Sequence, residues 1–438
     1  MTNHDEVTEI DIPETDDKRT SLPDRAGAAM ALAVDGKQPI ASVFVGRAAL
    51  HPFVFRKRVE RIEGSPRAGH LVAVYSLEKP DQPQLFAYGL YNDRSEIAVR
   101  LVRWWGEIPD EAFWQESLER AVSLRHDVLK LNQTADTYRL IHAESDGFPG
   151  LMIDRYGDVL SAEVFSYAMY YRAQAILEKL GAMVGTQHWL IQPSPLFLSQ
   201  EGYDATIVKS PSLPSFVTVQ ENGVKFRVHF ATGHKTGFFC DQRENRLQLS
   251  EFCRDKSVLD LCCYSGGFSV YAAKRGQASE VTGVDLDAEP LQLAKKNCDI
   301  NQTRVRYVQS DAFAFMRDMI RLGKQYEVVV LDPPKLIRSR AELEEGTKKH
   351  FDLNKLAMQL VKPGGIMLSC SCAGLLGEAE FSNVIRSAAK ATGFDEAGKS
   401  RPPRTVQVFA KHGAAADHPV VVHCPETEYL KSIWMRVW

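Results

Sequence analysis

The sequence predicts an α/β protein of several domains, with a C-terminal, mostly parallel, doubly wound sheet preceded by a small β-rich barrel and a central α+β segment. Three observations carry this. A chain of 438 residues exceeds one ordinary core and suits two or three domains. Beyond residue 245, apolar strand-like segments and helical segments alternate strictly, which is the rhythm of βαβ units. Between Ala41 and Trp105 the runs are short, alternating and broken by Gly, Pro and Asp, the pattern of strands and turns.

Taken from the N-terminus, residues 1–26 hold eight acids against three bases with almost no aliphatic periodicity, so residues 1–38 are expected to form a flexible acidic tail. Residues 39–107 form the barrel, through Ser42–Val45, His70–Tyr75, Gln84–Tyr88 and Ile97–Val102. Residues 108–225 form the α+β segment, with helices expected over Phe113–Val128 and Tyr170–Leu180. Its strands are expected near Tyr138–His142, Leu151–Asp154, Val159–Phe165, Trp189–Gln192 and Val224–Val228. Residues 226–438 form the last domain. Its strands are expected at Ser257–Cys262, Val281–Asp285, Val305–Gln309, Tyr326–Leu331 and Ile366–Ser371. The helices between them are Phe268–Arg275, Leu291–Ile300, Phe313–Leu322 and Phe351–Leu360.

Composition excludes several classes. Apolar residues at 44% and charged residues at 25% are ordinary for a globular protein, which argues against disorder, collagen-like repeats and disulfide mini-proteins. Lys plus Arg is 53 against 56 for Asp plus Glu, so a net charge of −3 exerts no bulk pull toward nucleic acid or anionic membrane. The eight cysteines sit in apolar segments and read as buried thiols of a reducing compartment. No run approaches the ~18–20 apolar residues of a membrane span, and no signal peptide is apparent, so a soluble, cytoplasmic protein is expected.

The segment Val258-Leu-Asp-Leu-Cys-Cys-Tyr-Ser-Gly-Gly-Phe268 is an apolar strand entering a glycine turn and then a helix. Tyr264, Gly266, Gly267 and Phe268 line that turn, and Asp285 ends the next strand, placed to accept from a ribose hydroxyl. A dinucleotide site wants a third glycine so that pyrophosphate can lie on the helix N-terminus. Here Asp260 stands beside the turn instead, which repels phosphate and suits a cationic amino-acid group. S-adenosylmethionine, cationic and free of phosphate, fits better. Asp311, closing the third strand, extends the acidic set toward an adenine amino group, although a lone Asp there also serves as a helix cap.

Val328-Val-Val-Leu-Asp-Pro-Pro-Lys335 is a buried strand stopped by Pro333 and Pro334, which fixes Asp332 at the carboxyl edge. Amino-group methyltransferases commonly follow the prolines with an aromatic residue, whereas this chain has Lys335. In Met367-Leu-Ser-Cys-Ser-Cys-Ala-Gly374, alternation places Cys370 and Cys372 on one face, with Cys372 nearer the site. A thiolate there could add to carbon 6 of a pyrimidine and make carbon 5 nucleophilic. The competing reading is a small buried hydrophobe. Cys-x-Cys on a strand has no second ligand pair, so no metal is expected. Gly233-His-Lys-Thr-Gly-Phe-Phe-Cys-Asp-Gln-Arg243 lacks the Gly-Lys step of a phosphate loop, but Lys235, Gln242 and Arg243 suggest a cleft wall. The barrel segment carries an excess of four positive charges with Phe53, Phe55, Tyr75 and Tyr91 interleaved, which suits stacking on bases.

Together these motifs resemble the bacterial 23S rRNA (cytosine-5) methyltransferase I family over roughly residues 41–438. They are joined by Tyr138-Arg-Leu-Ile, Glu144-Ser-Asp-Gly-Phe-Pro-Gly150 and Ala416-Asp-His-Pro419. The resemblance implies a PUA-like RNA-binding domain, a central domain and a Rossmann-like class I methyltransferase domain using S-adenosylmethionine. It implies Cys372 as nucleophile and Asp332 as the residue orienting the pyrimidine. Asp260, Tyr264, Gly266, Gly267, Phe268, Asp285, Asp311 and Asp332 would then hold the methyl donor. Pro333, Pro334, Lys335, Lys235, Gln242, Arg243 and His418 would face the substrate, with Asp417 beside His418. The implied partner is large-subunit ribosomal RNA, without metal or membrane, and a homodimer is compatible with it. Two features depart from the family: Ala48-Ala-Leu-His-Pro-Phe-Val-Phe is less basic than in related chains, and Pro334 stands where many RNA cytosine-5 methyltransferases carry a second Cys. Guanine N-methylation, with Cys372 merely packed, and a non-catalytic ribosome-assembly role remain open at this level.

Overall fold

The computed structural model describes residues 40–230, 238–394, 398–400 and 402–438. The expected tail over residues 1–38 and Lys235 lie outside them. The first sheet contains β1 (Ser42–Val45), β2 (Phe53–Phe55), β3 (Val59–Glu63), β4 (Leu71–Ser76), β5 (Gln84–Tyr91) and β6 (Ile97–Trp104), in the order β2-β6-β5-β4-β1-β3. Register shifts interrupt four of its ladders. Such bulges increase twist and curl a sheet, here around Val43, Val72, Val74, Phe86, Val99 and Leu101.

Helix α1 (Glu111–Ser123) starts where the Asp110 side chain accepts from the Phe113 amide and runs on as a π-helical turn to Val128. Strands β7 (Thr137–His142), β8 (Leu151–Tyr156) and β9 (Val159–Val164) form an antiparallel meander. Helix α2 (Tyr167–Val184) then crosses over to β10 (His188–Pro193), which pairs parallel with β9. Helix α3 (Phe197–Glu201) and β11 (Val208–Lys209) complete this sheet, in the order β11-β10-β9-β8-β7. Next comes a separate hairpin, β12 (Phe216–Glu221) and β13 (Val224–His229), and the expected boundary at residue 225 falls inside its second strand.

The last domain comprises α4 (Arg243–Ser250), β14 (Ser257–Leu261), α5 (Gly267–Lys274), β15 (Glu280–Asp285), α6 (Ala288–Asn301), β16 (Arg306–Gln309) and α7 (Ala312–Arg321). It continues with β17 (Tyr326–Leu331), α8 (Leu343–Gln359), β18 (Val361–Ser371), α9 (Glu378–Ala391), β19 (Val406–His412) and β20 (Lys431–Val437). The strand order is β16-β15-β14-β17-β18-β20-β19. The first five are parallel, as the alternation predicts. β20 is inserted antiparallel between β18 and β19, which sequence periodicity does not reveal. The hairpin is fastened to α6, whose Asn301 and Asn297 side chains accept from the Lys225 and Arg227 amides at 2.9 and 2.8 Å. No helix among the described residues is long and apolar enough to cross a membrane.

The loop between β19 and β20 returns to the central sheet and carries a buried cluster of charges. Asp417 receives both guanidinium nitrogens of Arg243 at 2.8 and 3.0 Å, and also the Arg139 backbone amide at 2.8 Å. Arg125 donates to the Asp417 carbonyl and makes a bidentate pair with Asp146, while Arg139 does the same with Asp154. Burial opposes the Asp417 charge, yet His418 and Arg243 outweigh it and hold the carboxyl well below the usual carboxylate range. Removing one member of a buried pair leaves the other charge uncompensated, at a cost of about 3–5 kcal/mol. Asp417→Asn is therefore expected to lower the unfolding free energy by about that much in urea denaturation; a change below about 1 kcal/mol would show that Arg243 finds another partner.

Candidate functional site

The carboxyl ends of β14, β15 and β17 bring three acids to one turn. Beyond β14 the backbone enters left-handed conformations at Cys262 (φ 61°), Tyr264 (φ 48°) and Gly266 (φ 79°). Two hydrogen bonds hold this course: the Tyr264 amide donates to Asp285 at 2.8 Å and the Cys263 amide to the Val284 carbonyl at 3.0 Å. Gly266 is required by its φ and by the hydroxyl of Tyr307, which would lie 2.4 Å from any added Cβ. The glycine therefore serves the packing of α5 against β16. Burial is the main influence that pushes the Cys262 thiol up, and Asp285, Asp332, Asp260 and Asp311 all add to it. Four carboxylates thus surround the turn.

Asp260 is buried. One of its oxygens accepts from the Ser269 amide and hydroxyl at 2.9 and 2.6 Å, while the other, Oδ1, has no hydrogen-bond partner. Burial, with a contribution from Asp285, raises its pKa to about 7 against those two bonds. An unpaired buried carboxylate oxygen calls for a donor, and a ligand ammonium meets that need. Asp332 lies partly exposed beyond β17, and its amide donates to the Leu261 carbonyl at 3.3 Å. Burial, Asp241 and Asp260 raise it to about 7 as well. Asp311 is exposed and uses Oδ1 to cap α7 through the Ala314 amide, so at least half of that carboxylate is structural.

Several expected contacts take other roles. Phe268 is buried in a core with Leu249, Val258, Ala272 and Val281, beneath the turn and not facing a ligand. Gln242 is buried and donates to Asp332 at 3.0 Å, and its own carbonyl is oriented by Asn245 at 2.7 Å. Arg243 and His418 are buried on Asp417, which removes both from a substrate-facing wall. Pro333 is buried, whereas Pro334 and Lys335 are exposed and Gly267 is partly exposed.

All eight cysteines are thiols; six are buried, and only Cys262 and Cys372 are partly exposed. Cys372 follows β18 directly. The pairing of Leu331 with Ser369 sets β18 beside β17, so the segment leaving β18 through Cys372 adjoins the one leaving β17 at Asp332. Asp241, part of the polar stretch read as a cleft wall, takes the Tyr429 hydroxyl on its carboxylate at 2.6 Å. Sequence reasoning missed Asn245, which bonds Ser432 as well as Gln242. It missed Glu221 and Arg246, a buried bidentate pair, and Lys431 as well. A lone lysine in the apolar run Leu430-Lys-Ser-Ile-Trp434 was the available signal.

In the first sheet the cationic excess divides. Arg56 is spent on the Asn92 and Ser95 carbonyls, and Arg100 is buried on Glu201. Lys57, Arg58 and Arg67 are exposed and absent from every ion pair among the described residues. Phe55 is exposed and Phe53 and Tyr75 partly so, but Tyr91 belongs to the core. One group has metal-ligand chemistry among the described residues: His51, Cys424 and Glu426. His51 Nδ1 accepts from the Phe53 amide, so the ring proton sits on Nε2, 3.2 Å from Glu426. That tautomer suits donation to the carboxylate and opposes a metal.

Comparison with known proteins agrees with this geometry. The S-adenosylmethionine-dependent methyltransferase family model matches residues 150–410, and the PUA-like domain model matches residues 47–104. The chain is 35% identical over 394 residues to a protein of Vibrio cholerae named ribosomal RNA large subunit methyltransferase I, spanning 88% of this chain and 95% of that one. It is 34% identical over 397 residues to the protein of the same name from Aeromonas salmonicida, with the same two coverages. The crystal structure of SMU.776 complexed with SAH superposes with a TM-score of 0.74 at 18% identity, over 91% of this chain and 100% of that one. That likeness concerns the fold.

The buried Asp260 carboxyl, raised to about 7, is protonated in the folded protein at pH values where the unfolded chain has lost its proton. Its contribution is fully present below about pH 4 and is lost as pH rises through 7, at up to ~1.4 kcal/mol per unit. Asp260→Asn is expected to lose less stability than the unaltered protein between pH 5 and pH 8 in denaturant titrations. Parallel losses would refute the raised pKa.

Proposed function

The chain belongs to the ribosomal RNA large subunit methyltransferase I family, and on that premise we propose that it forms 5-methylcytosine in large-subunit rRNA through a thiol adduct of Cys372. Dependence on S-adenosylmethionine follows from the family. The observation that carries the reading is Cys372, a partly exposed thiol at the mouth of β18, the strand beside β17, whose exit carries Asp332.

Bound S-adenosylmethionine supplies an electrophilic methyl group on a sulfonium. Asp260, through its unpartnered oxygen, would hold the donor's ammonium; Asp285 would hold the ribose hydroxyls and Asp311 the adenine amino group. Asp332, raised to about 7, still carries a proton in a substantial fraction of molecules at neutral pH and would share it with the pyrimidine ring nitrogen. Gln242 fixes its orientation. Cys372 then adds to carbon 6, and the electron pair of the 5,6 double bond becomes available at carbon 5. Such a base must leave its stack to reach the thiol. Lys57, Arg58 and Arg67 would meet the surrounding phosphates, and Phe55 a base.

Cys372→Ala is expected to reduce methyl transfer to rRNA by on the order of 10³-fold or more and to abolish covalent trapping by RNA containing 5-fluorocytidine. Nucleoside mass spectrometry showing undiminished 5-methylcytidine, or a methylated guanine in its place, would overturn the reading. Because a charged Asp260 binds an ammonium better than a protonated one, affinity for S-adenosylmethionine is expected to strengthen from pH 6 to pH 8 in calorimetry. Asp260→Asn should flatten that dependence.

A further inference from the structure

Lys431 opens β20, and only 5% of it is exposed. Among the other buried cations of the described residues, Arg100, Arg125, Arg139, Arg243 and Arg246 each hold a carboxylate, while Arg172 bonds a carbonyl of its own helix. Lys431 is in no ion pair among the described residues. Its ammonium donates instead to the carbonyls of Ala373 and, at 2.8 Å, of Tyr429. An ammonium taken from water without a counter-charge is expensive. The address of those bonds supplies the reason. Lys431 pairs across the sheet with Ser371, and its ammonium bonds Ala373. Cys372 is the residue between.

We propose that Lys431 is a positioning residue that provides the counter-charge for the Cys372 thiolate, both when the sulfur attacks and when it departs. This rests on the reading of Cys372 as the nucleophile. On attack, a sulfur electron pair forms the bond to carbon 6 and the 5,6 π pair moves to carbon 5. After carbon 5 has taken the methyl group, its proton leaves to water, the freed pair restores the double bond, and the carbon–sulfur bond breaks with its electrons on sulfur. A thiol of lower pKa leaves faster, and an adjacent ammonium lowers it. Pro334, standing where a second thiol would assist release, makes that help necessary.

The electrostatic surroundings of Lys431 agree. Burial is the main influence that lowers it, to about 8, and Lys335 beyond β17 adds to this, while Cys372 and Glu428 act in the opposite direction. His350 on α8 is lowered to about 4 by burial and by the Lys431 charge. Coupling between two titrating groups is reciprocal, so a thiolate that favours the ammonium is favoured by it.

The test follows alkylation of Cys372 by iodoacetamide in the full-length protein, read by peptide mass spectrometry from about pH 6 to pH 10. The expected midpoint in the unaltered protein lies below the ordinary thiol value of ~8.5, and Lys431→Met should raise it by about one unit or more. That variant should also accumulate covalent enzyme–RNA complex relative to completed 5-methylcytidine. A midpoint at or above 8.5 in the unaltered protein overturns the proposal without recourse to any variant, and so does an unchanged midpoint in Lys431→Met. Cys372→Ala separates the underlying reading: full methylation by it would remove the nucleophile, and this proposal with it, whereas lost methylation with a normal midpoint would defeat the role of Lys431 alone.

Discussion

The antiparallel ladder of β20 against β18, running from Gly365 opposite Val437 to Ser371 opposite Lys431, is the constraint on which the site depends. Its last step brings a buried ammonium across from the Ser-Cys exit of β18. Its next residue, Ser432, holds Asn245, which orients Gln242 against Asp332. The same ladder fixes where the preceding loop must end, so Asp241 receives the Tyr429 hydroxyl at the rim. A strand that contributes no residue to the turn after β14 thereby arranges the side chains around Asp332.

On the other side, acids are crowded where solvation is poor. Asp260 and Asp332 both move to about 7 because burial penalises their charge and neighbouring carboxylates repel it. In the folded protein alone this is a cost. It becomes useful when a cation enters, because the site offers an unpaired carboxylate oxygen whose desolvation has already been met. Preorganisation of this kind explains why the turn tolerates left-handed backbone at two residues other than glycine.

Domain coupling uses a different arrangement of charge. Asp417 and its arginines are buried but fully hydrogen-bonded, and they join the loop before β20 to the central sheet. The β12–β13 hairpin makes a second join, through Asn297 and Asn301 on α6 and through the Glu221–Arg246 pair. The first of these joins ties the loop that leads into β20 to the central sheet.

The amino-acid sequence by itself determined the βαβ rhythm, the acids at strand ends, the Asp-Pro-Pro stop and Cys372, because hydrophobic period and turn chemistry are local properties. Asp260, Asp285, Asp332 and Cys372 were singled out for that reason. Arg243, His418 and Gln242 read as cleft residues because polarity near a motif does not say which way a side chain is committed. Arg243 and Gln242 find their partners, Asp417 and Asp332, 174 and 90 residues away. Phe268 was misplaced likewise, since one turn of helix decides between ligand and core. Only the tertiary structure could decide the place of β20, and with it the role of Lys431, because an antiparallel strand closing a parallel sheet across an irregular loop obeys no local period and is selected by the long-range fit of its apolar face.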